Sequence, residues 1–155
     1  MKLLNFLIAG WVFASTWAMA DDDAPRGYFS TSELTEALEK AAGKKLVVLV
    51  VKGADDNCPN CVAAMENGER AVGSGVVKVF ARAEGIRNLP QDDFTETLKK
   101  RINQAFSTGA SVTFVVFNPD MTEIIAEAGR SELQNDKKAT TAFRKKVQAA
   151  KKEFR

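Results

Sequence analysis

The sequence has no histidine and only two cysteines in 155 residues. The first absence removes imidazole as general base, metal ligand and pH switch, so many enzyme classes lose their usual base. The second rules out a disulfide framework that staples distant parts of the fold. An imbalance of charge is missing as well. There are 22 basic and 20 acidic residues, for a formal net charge of +2, and this near-balance argues against nucleic acid as a partner. The chain shows no internal repeat and no low-complexity segment.

What is present is Cys58-Pro59-Asn60-Cys61, with the only two cysteines two residues apart, shortly after the apolar run Leu46 to Val51. The pair works with itself, with a metal, or with the thiol of another molecule. Redox chemistry is the leading reading. An inert disulfide is the second, although a loop this short constrains the unfolded chain little, which makes stabilisation alone a weak reason for it. A metal is the third. Two thiolates supply half of a tetrahedral zinc site, and the other half would have to come from carboxylates or a second chain. No metal and no cofactor is expected.

The first twenty residues read as a secretory signal peptide. Lys2 precedes a mostly apolar run from Leu3 to Ala14, and Ala18-Met19-Ala20 places the cleavage site after Ala20. The run falls short of the roughly 20 residues that span a bilayer, so no stable membrane insertion is expected after cleavage. The expected location is periplasmic or secreted, where disulfides persist. Residues 21–29 read as a flexible leader and 30–155 as one domain with a single core.

Along that domain, Ser30 and Glu33 have capping-box spacing ahead of Leu34, Ala37, Leu38 and Ala41, which predicts a helix closed by Gly43. Leu46 to Val51 is a continuous run of Val and Leu with no alternation, as for a central strand covered on both faces. Pro59 suits a first helical position, because its missing N–H would have had no partner there. That helix is predicted to run to about Ala71, ended by Gly73 and Gly75. Val76 to Arg82 reads as a second strand, with Val77, Val79 and Ala81 on one face. Phe94, Leu98, Ile102 and Ala105 predict a helix over 92–106. Val112 to Phe117 and Thr122 to Glu127 read as antiparallel strands joined at Asn118-Pro119-Asp120-Met121, with Asp120 a turn residue. Asp136 to Phe154 is a final helix with Ala139, Phe143, Val147, Ala150 and Phe154 on one stripe. Phe114, Phe117 and Phe143 are core candidates. Lys137, Lys138, Arg144, Lys145, Lys146, Lys151, Lys152 and Arg155 are expected to form a solvated basic face.

A CxxC that follows a central strand and opens a helix, with β-α and a late hairpin after it, resembles the thioredoxin-like superfamily over nearly all of residues 31–154. Gly53-Ala54-Asp55-Asp56-Asn57 before the cysteines is similar to the acidic loop of exported bacterial members. The resemblance implies an α/β fold, a three-layer sandwich with a mixed central sheet flanked by helices. It implies Cys58 at the exposed helix start as the attacking nucleophile and Cys61, one turn inside, as the resolving cysteine, with Pro59 and Asn60 tuning the couple. Helix N–H groups would lower the Cys58 pKa from about 8.5. Asp55 and Asp56 would raise it, and Lys52 could offset them, although a solvated lysine is the preferred reading there.

Two positions depart from the family pattern. Asn57 stands where an aromatic residue usually precedes the first cysteine, and Val112 stands where a cis-proline usually faces the motif. A cis bond at a non-proline costs about 2.5 to 4 kcal/mol, so Ser111-Val112 is expected to be trans. Val112 and Thr113 are the implied substrate-binding positions. The implied partners are protein thiols or disulfides, with a membrane electron donor or oxidant as a further candidate. The competing reading is a non-catalytic protein-binding module with an inert CxxC disulfide.

Overall fold

The run of valines and leucines from Leu46 to Val51 forms the centre of the molecule. The computed structural model describes residues 24–53, 58–83, 96, 99–100 and 112–154. In it Val47–Lys52 is strand β2, and Val47 through Val51 are wholly buried. Two other strands flank it, β3 (Val77–Arg82) in parallel and β4 (Val112–Phe117) antiparallel. A two-residue strand, β1 (Phe29–Ser30), pairs in parallel with β3, and β5 (Ile124–Gly129) pairs antiparallel with β4. The order across the sheet is β1-β3-β2-β4-β5.

Each face of this sheet buries its own cluster. On one side Val47, Leu49 and Val51 join Val77, Val79, Ala81, Val115 and Phe117 under α1 (Leu34–Ala41), which contributes Ala37 and Ala41. On the other, Leu46, Val48, Val50, Phe80, Val112, Phe114 and Val116 pack against α2 (Pro59–Val72), the short α3 (Arg130–Gln134) and α4 (Lys137–Glu153). Alternation along each strand explains the division, because successive side chains point to opposite faces. The result is the three-layer, mixed-sheet α/β architecture that the thioredoxin-like resemblance implies. Phe114, Phe117 and Phe143 are all buried, as expected of core residues.

Local chemistry sets the element ends. The Ser30 N–H donates to Glu33 Oε2 at 2.7 Å and the Ser30 hydroxyl to the same oxygen at 3.0 Å. These bonds hold a 3₁₀ turn over Thr31–Glu33 that leads into α1. Ala42 and Gly43, with φ of 46° and 68°, close α1. In the hairpin, Asn118 Oδ1 accepts the N–H groups of Thr122 and Glu123 at 2.8 and 3.1 Å. Those two residues are thereby held in the turn, so β5 starts at Ile124 rather than at Thr122 and runs to Gly129.

Other differences from the sequence reading arise from tertiary contacts. The expected leader over residues 21–29 overlaps β1 at Phe29. Tyr28 packs edge-to-face on Phe80, with ring centroids 6.0 Å apart. Helix α3 was not expected at all. On α4, Lys137, Lys138, Arg144, Lys145, Lys146 and Lys152 are exposed, but Lys151 corrects the expectation of a wholly solvated face. Its ammonium donates to the carbonyls of Val72 and Ser74, both at 2.5 Å, and so satisfies the C-terminal end of α2. The signal peptide expected over residues 1–20, Arg155 and the core-facing residues of the helix expected over 92–106 lie outside the described residues. Glu96, Lys99 and Lys100 of that helix are described and are helical. Among the described residues no helix is long and apolar enough to cross a membrane.

Helix α2 lies unusually close to the sheet at Gly68. A Cβ placed there would come within 3.0 Å of three ring atoms of the buried Phe114. Gly68→Ala should therefore destabilise the fold by about 1–3 kcal/mol through overpacking, less the roughly 1 kcal/mol that alanine gains over glycine in a helix. Denaturant unfolding measures the loss, and adding Phe114→Leu should recover part of it. A second expectation concerns pH. The Ser30 N–H, and then the Ser30 hydroxyl, hold the Glu33 carboxyl below the usual glutamate range. A depressed carboxylate pKa stabilises the fold above the unfolded value of about 4.3, and that stability is lost as pH falls through the folded value. The difference in Tm between the wild-type chain and Glu33→Gln should be present at neutral pH and close in acid.

Candidate active site

The C-terminal end of β2 delivers the chain to the cysteine motif. Cys58 takes the N-cap position of α2 with an extended backbone, φ −63° and ψ 121°, and Pro59 occupies the first helical position. The Cys58 carbonyl accepts the N–H groups of Cys61 and Val62 at 2.8 and 3.1 Å. Its side chain is half-buried against the cluster on the α2 face, whereas Cys61 is wholly buried within that cluster. Both are thiols in this structure. Pro59 and Asn60 are exposed between them. Beside them lies Val62, 46% exposed and the one exposed large hydrophobic side chain among the described residues.

Hydrogen bonds to the Cys58 sulfur favour its anionic form. The Cys61 thiol contributes most to lowering the Cys58 pKa, followed by the Cys61 N–H. Partial burial opposes them, and the Asn60 N–H and the positive charge of Arg130 act in the lowering direction. Two of these donors are backbone groups in the first turn of α2, at the positive end of the helix dipole. The surroundings of the half-buried Cys58 thus favour its thiolate form, with the buried Cys61 thiol one helical turn inside. Asp55, Asp56 and Asn57 lie outside the described residues.

The two positions expected to bind substrate separate. Val112 is wholly buried in the same cluster as Cys61, on the cysteine side of the sheet, opposite Lys52 in the register. Thr113 is also buried, but strand alternation turns its side chain to the α1 face, away from the cysteines, between Val51 and Gly129. The bond between Ser111 and Val112 begins on a residue outside those described. Lys52 is half-buried at the end of β2 rather than fully solvated. Among the described residues no group of three or more acidic or cysteine side chains gathers in a way that could hold a metal ion.

Sequence reasoning missed Arg130, which opens α3 and acts on Cys58 through its charge. Nothing in local spacing marks it, because it reaches the site only through the pairing of β4 with β5. Asn67 was missed for the same reason. Its side-chain amide donates to the Leu133 carbonyl at 2.6 Å and so ties α3 to α2.

No family model matches the sequence, and no curated protein matches it either. Among solved structures, the chain is similar to the reduced thioredoxin pre-protein of Schistosoma mansoni. The two share 18% identity with a TM-score of 0.41, over 82% of this chain and 94% of that one.

The hydrogen-bond arrangement has a direct consequence. In the reduced protein, the pH midpoint for alkylation of Cys58 should lie below about 8.5, the ordinary thiol value. Cys61→Ala, which removes the largest contribution, should move that midpoint upward. Rates of iodoacetamide labelling measured against pH check both statements.

Proposed function

We propose that this protein is an exported thiol-disulfide oxidoreductase in which Cys58 attacks and Cys61 resolves. The observation that carries the reading is the pairing of a half-buried cysteine at a helix N-cap with a wholly buried cysteine one turn inside the same helix. In the reducing direction the Cys58 thiolate attacks one sulfur of a partner disulfide. The partner's S–S bond breaks, a Cys58–partner mixed disulfide forms, and the departing partner thiolate takes up a proton. Cys61 then loses its proton and attacks Cys58, closing the Cys58–Cys61 bond and releasing the second partner thiolate. The partner has gained two electrons and this protein has lost them. The oxidising direction is the same sequence reversed.

The partners are proteins carrying thiols or disulfides, met in the periplasm or outside the cell. A membrane redox protein would reset the couple after each cycle. Val62, exposed next to the motif, provides apolar contact area for such a protein partner. The CxxC motif, the N-terminal apolar segment and the α/β fold support this assignment together.

Two measurements on the mature protein test it. Poised in glutathione and dithiothreitol buffers, the Cys58–Cys61 couple should equilibrate within roughly −270 to −120 mV, the span of exchange-active CxxC proteins. A value below about −300 mV, in the range of reduction-resistant structural disulfides, would leave a protein-binding module instead. Cys61→Ala should accumulate mixed disulfides with partner proteins through Cys58, and Cys58→Ser should form none.

A further inference from the structure

Basic residues from three separate elements converge at the end of the sheet that carries Cys58. Lys52 and Arg82 are the last residues of β2 and β3 and pair in register. Alternation puts both on the α2 face, Lys52 beside Val112, which opens β4. Across β4, Gly129 ends β5 opposite Thr113, and a Cβ at Gly129 would lie 3.9 Å from the Val112 carbonyl oxygen. Arg130 follows immediately, half-buried, as the first residue of α3.

That short helix is pinned at both ends. Its first turn is held by Glu132 Oε2, which accepts the Gly129 N–H at 2.7 Å. Its last turn is held by α2, where the Asn67 amide donates to Leu133 O at 2.6 Å and more weakly to Gln134 O at 3.5 Å. Arg70 fixes Asn67 in turn by donating to its Oδ1 at 2.7 Å. The helix that begins at Cys58 therefore also anchors the helix that carries Arg130.

We propose that Arg130 is a positioning residue for the exchange reaction, a cation that α3 holds in place to accompany the Cys58 sulfur whenever it becomes an anion. The inference rests on the oxidoreductase reading. Cys58 is anionic twice in a cycle, as the attacking thiolate and as the leaving group when Cys61 closes the disulfide. A fixed positive charge favours both events without taking part in either bond. The lowering of the Cys58 pKa by Arg130 agrees with this placement. Among the described residues the other charged groups at this end are Lys52 and Arg82 from the strands and Glu132 on α3, and Asp55 and Asp56 lie outside the described residues.

The test reads Cys58 itself in the reduced, full-length mature protein, by iodoacetamide labelling against pH. Arg130→Gln should raise the labelling midpoint and slow labelling at neutral pH. Arg130→Lys should restore most of the rate, and added salt should narrow the gap between wild type and Arg130→Gln. An unchanged midpoint in a folded Arg130→Gln protein, confirmed by far-ultraviolet circular dichroism, would overturn the proposal. So would equal shifts in the Gln and Lys variants, which would mark a structural role. Should Arg130→Gln not fold, Asn67→Ala frees α3 from α2 and must raise the midpoint in the same sense, and an unchanged midpoint there also overturns it. Because labelling needs no turnover, a potential outside the exchange range would sink the oxidoreductase reading alone.

Discussion

The contact of Gly68 with the Phe114 ring sets the geometry of everything on that side of the sheet. Helix α2 can sit this low only because its residue over Phe114 has no side chain. Once it is seated there, Cys61 and Ala64 sink into the cluster formed by Val48, Val50, Val112 and Phe114. The helix start is then held at the end of β2. Protein interiors are packed as densely as organic crystals, so a helix in such a seat has little freedom to rise or slide. The exposure of Cys58 and the burial of Cys61 accord with one glycine about two turns beyond Cys61 and nearly three beyond Cys58.

The same seat positions the outer helices. Asn67, next to Gly68, faces α3 and satisfies carbonyls that a five-residue helix cannot satisfy for itself. At the far end of α2, Lys151 performs the matching task on Val72 and Ser74. Helix α2 is thus the hub of its layer. It touches the sheet through glycine, α3 through asparagine and α4 through a lysine that reaches across to it. A lysine drawn into this role is amphipathic in use, with its stem along the surface and its charge on backbone oxygens.

Much of this was legible in the sequence where one residue type has one physical use. An unbroken run such as Leu46 to Val51 fits only a strand covered on both faces, and Pro59 after Cys58 fits only a helix start. The stripe of Phe143, Val147 and Ala150 declared the inner face of α4, and those three are buried. The elements that escaped are those with no local cause. Strand β1 is two residues long and exists because Phe29 and Ser30 pair with Val79 and Phe80. Helix α3 is too short to show a period and depends on Asn67. In the site, the cysteine pair and its helix were legible from spacing. Arg130 was not, since it lies far from Cys58 along the chain and strand pairing alone brings it to the same end of the sheet. Thr113 shows the complementary limit. Resemblance named the position, but strand alternation decides which face its side chain occupies.

These contacts also bear on the direction in which the couple is poised. The Cys61 thiol, two helix N–H groups and Arg130 all favour the Cys58 thiolate, and they outweigh the opposing effect of burial. A thiolate that is stabilised in the folded protein stabilises the reduced form. Its contribution is fully present above the unfolded thiol value of about 8.5 and is lost as pH falls through the lower folded value. Whatever stabilises the reduced form raises the reduction potential, which is how the most oxidising CxxC proteins reach theirs. The disulfide has no anion for Arg130 to accompany, so the guanidinium acts on one redox state and not on the other. In the proposed exchange reaction, the groups that favour the Cys58 thiolate therefore act in the direction of a more oxidising couple.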